Sequence, residues 1–504
     1  MSVRLALGAK KSRLVQQLLS ENALLLPAAI GLGLFLAMAG SNWITAAIPY
    51  QNRGYLPNYG EIYVSSSTVV YALLIGALSV VLFSISPMLE GFRINLTSTL
   101  KEPGNAASVV PSSQRMRKAL VISEVVLALT VLVPAGLTVK SLALVLREDP
   151  GFRPDHVLTA QMSLPLTKYS DKNQWRSFYN QLLEKLRALP EVESVGASRF
   201  IPFGQNSASV EFRIEGRPEP APGEVPGTMI TSATPSYFST LGLSLVEGRF
   251  ISQQDGPESL PVIVIGQTLV RRFFAHETPL GHKLRLGSDS PTWYTIVGVV
   301  KDVKLFQLSD RPRNEAYTAF TQSPSQSMAF VLHTRVDPMS LSTALRNAVW
   351  SVDKEQPVSG VETMEQRMSD EEAPFRIFAQ FSSYMGLLAL FLAGIGIYGV
   401  MSYLVESRTR EIGIRMACGA KRRNILWLVL SGNMKLMVAG LSLGLVAAWS
   451  VSRTLSGFLP KVTASDPMAY GVSVAVLFAA ILLASFIPLR RAVRIDPITV
   501  LRYE

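Results

Sequence analysis

The apolar residues of this chain gather into six long runs, at about 23–48, 67–89, 119–145, 377–404, 426–455 and 469–489. Each is long enough to cross a hydrocarbon core as a helix, which takes roughly 20 residues. Between the third and fourth runs, residues 147–373 change character and read as a separate water-facing domain. There His156–Leu164 alternates like a strand, and Trp175, Phe178, Tyr179, Leu182, Leu183 and Leu186 recur at helical spacing after a cap at Ser170 or Asp171. Val192–Ala197 returns as a strand. A second strand–helix–strand follows at Ala329–Thr334, Leu341–Val349 and Val358–Glu362. Between them lie strand-like segments at 209–216, 261–266 and 294–300 and a short helix near Leu269–Phe274. Pro218, Pro220, Pro222 and Pro226 mark a projecting loop. The expected fold is a membrane all-α protein of six transmembrane helices carrying one α+β extracytoplasmic domain.

Part of this pattern is written twice. Residues 3–37 and 414–448 share a basic stretch followed by a long apolar run. Arg4, Ala6, Gly8, Ala9 and Lys10 recur as Arg415, Ala417, Gly419, Ala420 and Lys421, and Pro87, Arg93 and Ile94 line up with Pro488, Arg494 and Ile495. Duplicated spans are how many transport proteins build a pseudo-symmetric pair. Met1 aligns with Ile412, so the expectation is that the first copy begins in the middle of a unit, as a fragment, a misassigned start or a degenerate half.

Composition supports a membrane protein: 504 residues, 17% charged, with a mean hydropathy of +0.27. The net charge of +11 is placed tellingly. Lysine and arginine fill the segments before the first run, between the second and third, after the fourth and after the last, whereas the loops 49–66 and 456–468 carry only Arg53 and Lys461. By the positive-inside rule both termini are cytoplasmic and residues 147–373 are periplasmic. Lys140 and Arg453, near outer ends, are expected to snorkel to the interface. Nucleic acid is disfavoured as a partner, since the basic residues flank spans and lack interleaved aromatics. The single cysteine, Cys418, reads as a small packing residue, so the outer domain must rest on its own core. Residues 1–39 imitate a signal peptide with an Ala37-Met-Ala39 site, but the matching segment 434–450 lies deep inside the chain, so the first span reads as retained.

The search for chemistry is negative for catalysis. No G-x-x-x-x-G-K-[ST] or H-E-x-x-H occurs, and His156, His276, His282 and His333 are scattered, so no catalytic, cofactor or metal site is expected. Gly394-x-Gly396-x-x-Gly399 sits within an apolar run and reads as helix packing, as does Gly440-x-x-x-Gly444. The sequon at Asn95 falls on the inner side. Glu124, at the inner end of its span, is expected to snorkel.

The segment 408–425, RTREIGIRMACGAKRRNI, remains. Glu411 near its start and Lys421 to Arg423 near its end suit a helix dipole. Ile412, Ile414 and Met416 offer apolar contacts, while Gly413, Ala417, Gly419 and Ala420 permit close approach. Two readings stand level: a membrane-surface helix anchored by basic residues, or a docking helix for a groove on a cytoplasmic partner. The copy at 3–10 favours docking.

TREIGIRMACGA, followed by two spans and PLRRAVRIDPITVLRYE, resembles the FtsX-like permease family of ABC transporters, including the macrolide-exporter (MacB) type, in the manner of its duplicated orphan permeases. The outer segment, with TPSYFSTLGLSLVEGRFIS and TIVGVVKDVK, is similar to the MacB-like periplasmic core domain. The resemblance implies residues 1–102 as the end of a first permease unit, 103–118 as a linker, 119–146 as the next span, 147–373 as the periplasmic domain and 374–504 as an FtsX-like domain of three spans. It implies an inner-membrane permease, not itself an enzyme, that couples to a separate ABC ATPase and transmits motion outward for efflux. Carried over by motif, Glu411, Gly413, Arg415, Ala417, Gly419 and Ala420 form the coupling element, with Arg4, Ala6, Gly8 and Ala9 its partial twin. The lipid bilayer is the other partner, and a periplasmic adaptor or outer-membrane channel stays open as a third. A scaffold regulating periplasmic or cell-wall proteins would use the same helices and differ only in what the outer domain touches. A ligand sensor would need an inner output domain, for which the loop 90–118 is too short.

Overall fold

The computed structural model describes residues 11–47, 65–204, 206–219, 221, 224–287, 290–407, 409–418 and 421–493, except 93–110. Two compact units emerge: Met1–Leu144 with Pro374–Glu504, and Val145–Ala373.

The first unit is helical. Its elements are α1 (Lys11–Ala47), α2 (Ser66–Phe92), α3 (Pro111–Val145), α8 (Met364–Ser407, whose first turns belong to the other unit), α9 (Thr409–Ala417), α10 (Arg422–Leu455) and α11 (Pro467–Val493). Five stretches are apolar and long enough to cross a bilayer: Leu26–Trp43, Lys118–Val145, Met364–Glu406, Met434–Phe458 and Pro467–Pro488. The sixth expected span falls on α2, whose apolar stretch among the described residues is Ser66–Val81. Large apolar side chains such as Phe35, Ile75, Phe391 and Leu483 stand exposed around these helices, as lipid-facing surfaces require.

The core of this unit is built from i, i+4 rows. Val125, Leu129, Val133 and Leu137 of α3 meet Ala393, Ile397, Met401 and Val405 of α8, with Ala448 of α10 and Leu477 and Ile481 of α11. Such rows lie along one face of a helix. Gly440 and Gly444 let α10 close on α3: a Cβ at 440 would lie 3.0 Å from Val125, and one at 444 would lie 2.8 Å from Leu129 Cδ1. In the GxGxxG run only Gly396 has such a neighbour, the Glu124 carboxyl, while Gly394 and Gly399 face open space. Glu124 therefore lies over the α8 backbone, where the missing side chain leaves room, and does not snorkel. Nor does Lys140. Its ammonium bridges both oxygens of Asp466 at 2.8 and 2.7 Å, and Ser141 Oγ donates to Pro460 O at 2.5 Å. Asp466 is held below the usual carboxylate range by the Lys140 hydrogen bond and the Ala469 N–H. Arg453 lies over the Trp449 ring at 5.4 Å.

The second unit contains a four-stranded antiparallel layer and a closed barrel. Strands β1 (Val157–Ser163), β2 (Val192–Ser198), β10 (Ser327–Thr334) and β11 (Ser359–Thr363) take the order β11-β1-β10-β2. Helices α4 (Lys172–Arg187) and α7 (Ser342–Val352) connect β1 to β2 and β10 to β11, the ferredoxin-like βαββαβ order. Asp171 is the cap of α4, accepting from the N–H groups of Asn173 and Gln174. Phe178, Leu182 and Leu186 of α4 and Leu345 and Val349 of α7 bury against Leu158, Ala160, Phe330 and Leu332 of the sheet.

Between β2 and β10 the chain inserts β3 (Ser209–Ile214), β4 (Gly227–Ala233), α5 (Pro235–Thr240), β5 (Leu245–Gly248), β6 (Val262–Gly266), α6 (Gln267–Phe273), β7 (Lys283–Leu286), β8 (Trp293–Val300) and β9 (Glu315–Ala319). Six of the strands pair in the ring β4-β3-β7-β8-β6-β9, and the ring closes because β9 pairs with β4 in parallel, Met229↔Glu315 through Ala233↔Ala319. Closure removes the open edges. Phe212, Ile214, Ile263, Ile265, Leu284 and Ile296 fill the interior. The expected strands at 209–216, 261–266 and 294–300 are β3, β6 and β8; β4, β5, β7, β9 and α5 were not foreseen. One ladder pair, Ser198↔Ala233, joins β2 to β4, flanked by the Arg199 N–H to Ser232 O and the Thr234 N–H to Ala197 O bonds and by the Ser198–Thr231 hydroxyl contact.

Candidate functional site

The segment singled out by sequence forms its own helix, α9, between two long apolar ones. Thr409 Oγ1 donates to Val405 O at 3.0 Å, tying its start to the end of α8. Glu411 stands in the first turn and Arg415 in the last, each favoured there by the helix dipole. Arg415 Nη2 donates to Glu411 Oε1 at 2.6 Å across one turn. Both side chains are about half exposed, 48% and 45%, so the pair adds only tenths of a kcal/mol and leaves both groups open to a partner.

One side of α9 is fixed and the other is free. Ile412 is fully buried in the helical core and Met416, one turn on, packs against the same cluster. Ile414 points the other way and is 46% exposed, so of the three apolar residues only two are anchors. Ala417 is exposed beside it, and Gly413 lies within the helix. Cys418 is exposed too, against the expectation of a packing residue; its N–H closes the last turn on Ile414 O at 2.9 Å. The structure therefore brings Glu411, Gly413, Arg415 and Ala417 together on one short helix. Gly419, Ala420, Arg4, Ala6, Gly8 and Ala9 lie outside the described residues, so the twin at 3–10 has no structural account. Among the described residues no three His, Cys, Asp or Glu side chains cluster as a metal site.

Sequence reasoning missed the polar groups buried in the barrel wall. Glu315 is 2% exposed; its Oε2 accepts from the Tyr317 hydroxyl at 2.9 Å and its Oε1 from the Val303 N–H at 3.3 Å. Burial pushes its pKa up to about 8. Burial likewise raises the Tyr237 and Tyr317 hydroxyls, helped by the Glu315 charge. The segment EAYTA holds no local signal that its glutamate is buried.

Two family models match. The MacB-like periplasmic core domain matches residues 66–349, more than half of the chain, and the FtsX-like permease C-terminal matches residues 383–497. The macrolide export ATP-binding/permease protein MacB of Hahella chejuensis is 25% identical over 331 residues, 64% of this chain and 48% of that protein. The MacB of Neisseria gonorrhoeae is 28% identical over 280 residues, 53% of this chain and 42% of that one. The chain thus spans about half the length of the curated relatives it matches. The periplasmic region of MacB from Actinobacillus actinomycetemcomitans aligns with a TM-score of 0.30 at 16% identity, covering 44% of this chain and 95% of that one. The extracellular domain of the noncanonic ABC-type transporter YknZ from Gram-positive bacteria gives 0.27 at 13%, covering 41% and 97%. With one model matched over more than half of the chain and the other over most of the rest of its C-terminal part, the chain belongs to the FtsX-like permeases with a MacB-like periplasmic core domain, the MacB-related ABC permeases, and is a multi-pass membrane protein.

Proposed function

We propose that this chain is the permease subunit of an ABC exporter, driven by a separate ATPase that docks on α9. The observation that carries this reading is the two-sided character of α9. Ile412 is locked into the helical core at 0% exposed while Ile414, Glu411, Arg415 and Ala417 face outward. A helix held on one side and bare on the other can transfer a push to the helices it is rooted in. Small residues at 413, 417, 419 and 420 let a groove approach closely, and a charged pair gives the contact register. The remaining parts of the proposal are six spans, cytoplasmic termini, a domain at 147–373 in the periplasm of an inner-membrane protein, and hydrolysis only by the partner. They rest on the apolar runs, the placement of lysine and arginine, and the absence of a phosphate-cradling motif in this sequence. The resemblance to the FtsX-like permeases suggests the unit boundaries 1–102, 103–118, 119–146 and 374–504, and a twin contact at residues 3–10.

The test is co-purification with a co-expressed ABC ATPase. Ala417→Trp and Gly419→Leu fill the space a close contact needs, at a cost of about 1–3 kcal/mol, and Arg415→Glu places a wrong charge there; each should deplete the ATPase from the purified complex. The parent chain alone should show no ATP turnover. Variants that retain the ATPase as fully as the parent would reduce α9 to a membrane-surface anchor.

A further inference from the structure

One end of the barrel opens into a polar cavity of about 920 Å³ beside the ferredoxin-like layer, within the size range of small-molecule sites and at a place where barrels bind them. The cavity is the barrel mouth, as strand alternation shows. Ile230 of β4 and Ala316 of β9 pack into the barrel core, so Ser232 and Thr318, two residues further on and paired with each other, face the same interior nearer the opening. Tyr294 of β8 also packs on that core and lines the cavity. The rim is rigid: Gln322 accepts from the Val262 N–H and donates to Ser259 Oγ and Leu260 O, pinning the loop before β6.

Two groups in this mouth lack partners. Ser232 is 6% exposed, and its Oγ has no hydrogen-bond partner, an expensive condition for a buried hydroxyl. Arg199 is exposed; its guanidinium lies 4.8 Å over the Phe200 ring and makes no ion pair among the described residues. The two are neighbours, because the Arg199 N–H donates to Ser232 O at 2.9 Å. The described lining adds Lys172, many serine and threonine hydroxyls and the rings of Trp175 and Tyr294, and includes no carboxylate.

We propose that the barrel mouth binds a small acidic sugar, one carrying a phosphate or a carboxylate. Arg199 takes the oxyanion, for which a guanidinium fork is suited. Ser232 Oγ bonds the ligand atom that reaches the floor, and the hydroxyl-rich rim and Trp175 receive the ring. This site belongs to the outer domain alone and goes beyond coupling to an ATPase, so it stands or falls separately.

The experiment is calorimetric titration of the full-length chain in detergent with glucose 6-phosphate, glucuronate and neutral glucose. Saturable binding of either acid with none of glucose is expected, and the tighter of the two identifies the oxyanion. Arg199→Gln should weaken that binding about tenfold, the loss of one charge-assisted hydrogen bond, and Arg199→Lys should restore part of it. Ser232→Ala should weaken it less, with the unfolding midpoint unchanged in all three variants. Absence of saturable binding by both acids, equal binding of glucose, or undiminished affinity in Arg199→Gln and Ser232→Ala would overturn the proposal.

Discussion

Replacing Glu315 by glutamine should remove a pH dependence built into the barrel wall. Burial dominates this carboxyl and lifts its pKa from 4.5 to about 8, against hydrogen bonds from Tyr317 and Val303 and with the Asp302 charge nearby adding to the rise. At pH 6 the folded chain therefore keeps the proton that the unfolded chain has lost. The folded state binds more protons throughout the window, so stability is full below about pH 4.5 and drains away as pH rises through 8. The slope is about 1.4 kcal/mol per pH unit at its steepest, and the loss across the window is on the order of 5 kcal/mol. Glutamine imitates the neutral acid: its oxygen can accept from the Val303 N–H and its amide can donate to the Tyr317 hydroxyl, which is able to turn. The assay is urea unfolding of the full chain at pH 5, 6.5 and 8, followed through Trp175, Trp293 and Trp350. The parent midpoint should fall as pH rises, and the Glu315→Gln midpoint should stay flat over that range. A parent midpoint that holds steady or climbs, or a variant with the parent's slope, refutes the reasoning. At acid pH an opposite trend enters. Asp255, pushed up by burial but pulled lower by Arg249 and Ser252, is held below its ordinary value, so its contribution is lost as pH falls.

Two other perturbations separate structural alternatives. Gly444→Leu should destabilise the helical unit by about 1–3 kcal/mol through overpacking, because its Cβ meets Leu129 at 2.8 Å and the Val126 backbone at 3.2 Å. Gly394→Leu, with nothing within 4 Å, should be tolerated; equal melting shifts in detergent would contradict the α3–α10 contact. Arg367 and Glu362 form a pair at 2.6 Å with side chains 6% and 5% exposed. Arg367→Met alone leaves a carboxylate buried and should cost about 3–5 kcal/mol, whereas adding Glu362→Leu should recover most of it. A double variant as weak as the single one would show that the pair does more than neutralise itself.

What sequence could reveal divides by range. The apolar runs are local signals, and a helix stands at each of them. The ferredoxin-like layer was legible for the same reason: Phe178, Leu182 and Leu186 mark one face of α4, and the residues of β1 read as alternating. The barrel was only half legible. Its closure depends on β4, GTMITSA, and β9, EAYTA, short strands with polar letters that meet across some eighty residues. Neither has a period of its own, and β9 is buried along its whole length, Glu315 included. At the site, charge placement revealed that α9 is a helix, but only packing reveals that Ile412 faces in and Ile414 faces out. Glu124 and Lys140 fit the snorkelling rule for isolated helices; neighbouring helices supplied Gly396 and Asp466 instead, and tertiary partners won.

The order of the strands bears on how the proposed coupling and the proposed binding would meet in one chain. In the ladder β11-β1-β10-β2-β4, the strand continuous with α8 is β11, whose last residue, Thr363, precedes Met364. Motion entering through α8 would meet an edge strand bonded only to β1, and along the ladder three further strands separate that strand from the barrel, but Glu372 of α8 also accepts from the Leu308 N–H, between β8 and β9, at 2.7 Å. The last of those junctions is the single pair Ser198↔Ala233, and beside it, where Arg199 leaves β2 and bonds to Ser232, lies the barrel mouth. That single ladder pair is shorter than the seven-pair ladder between β1 and β10, but it is reinforced by side chains: Thr234 Oγ1 accepts from the Ala197 N–H, Thr231 Oγ1 accepts from the Phe200 N–H, and the Ser198 and Thr231 hydroxyls bond each other. An acidic sugar held by Arg199 on the layer side and Ser232 on the barrel side would bridge this seam, and by linkage any movement across it would change the sugar's affinity to the same degree.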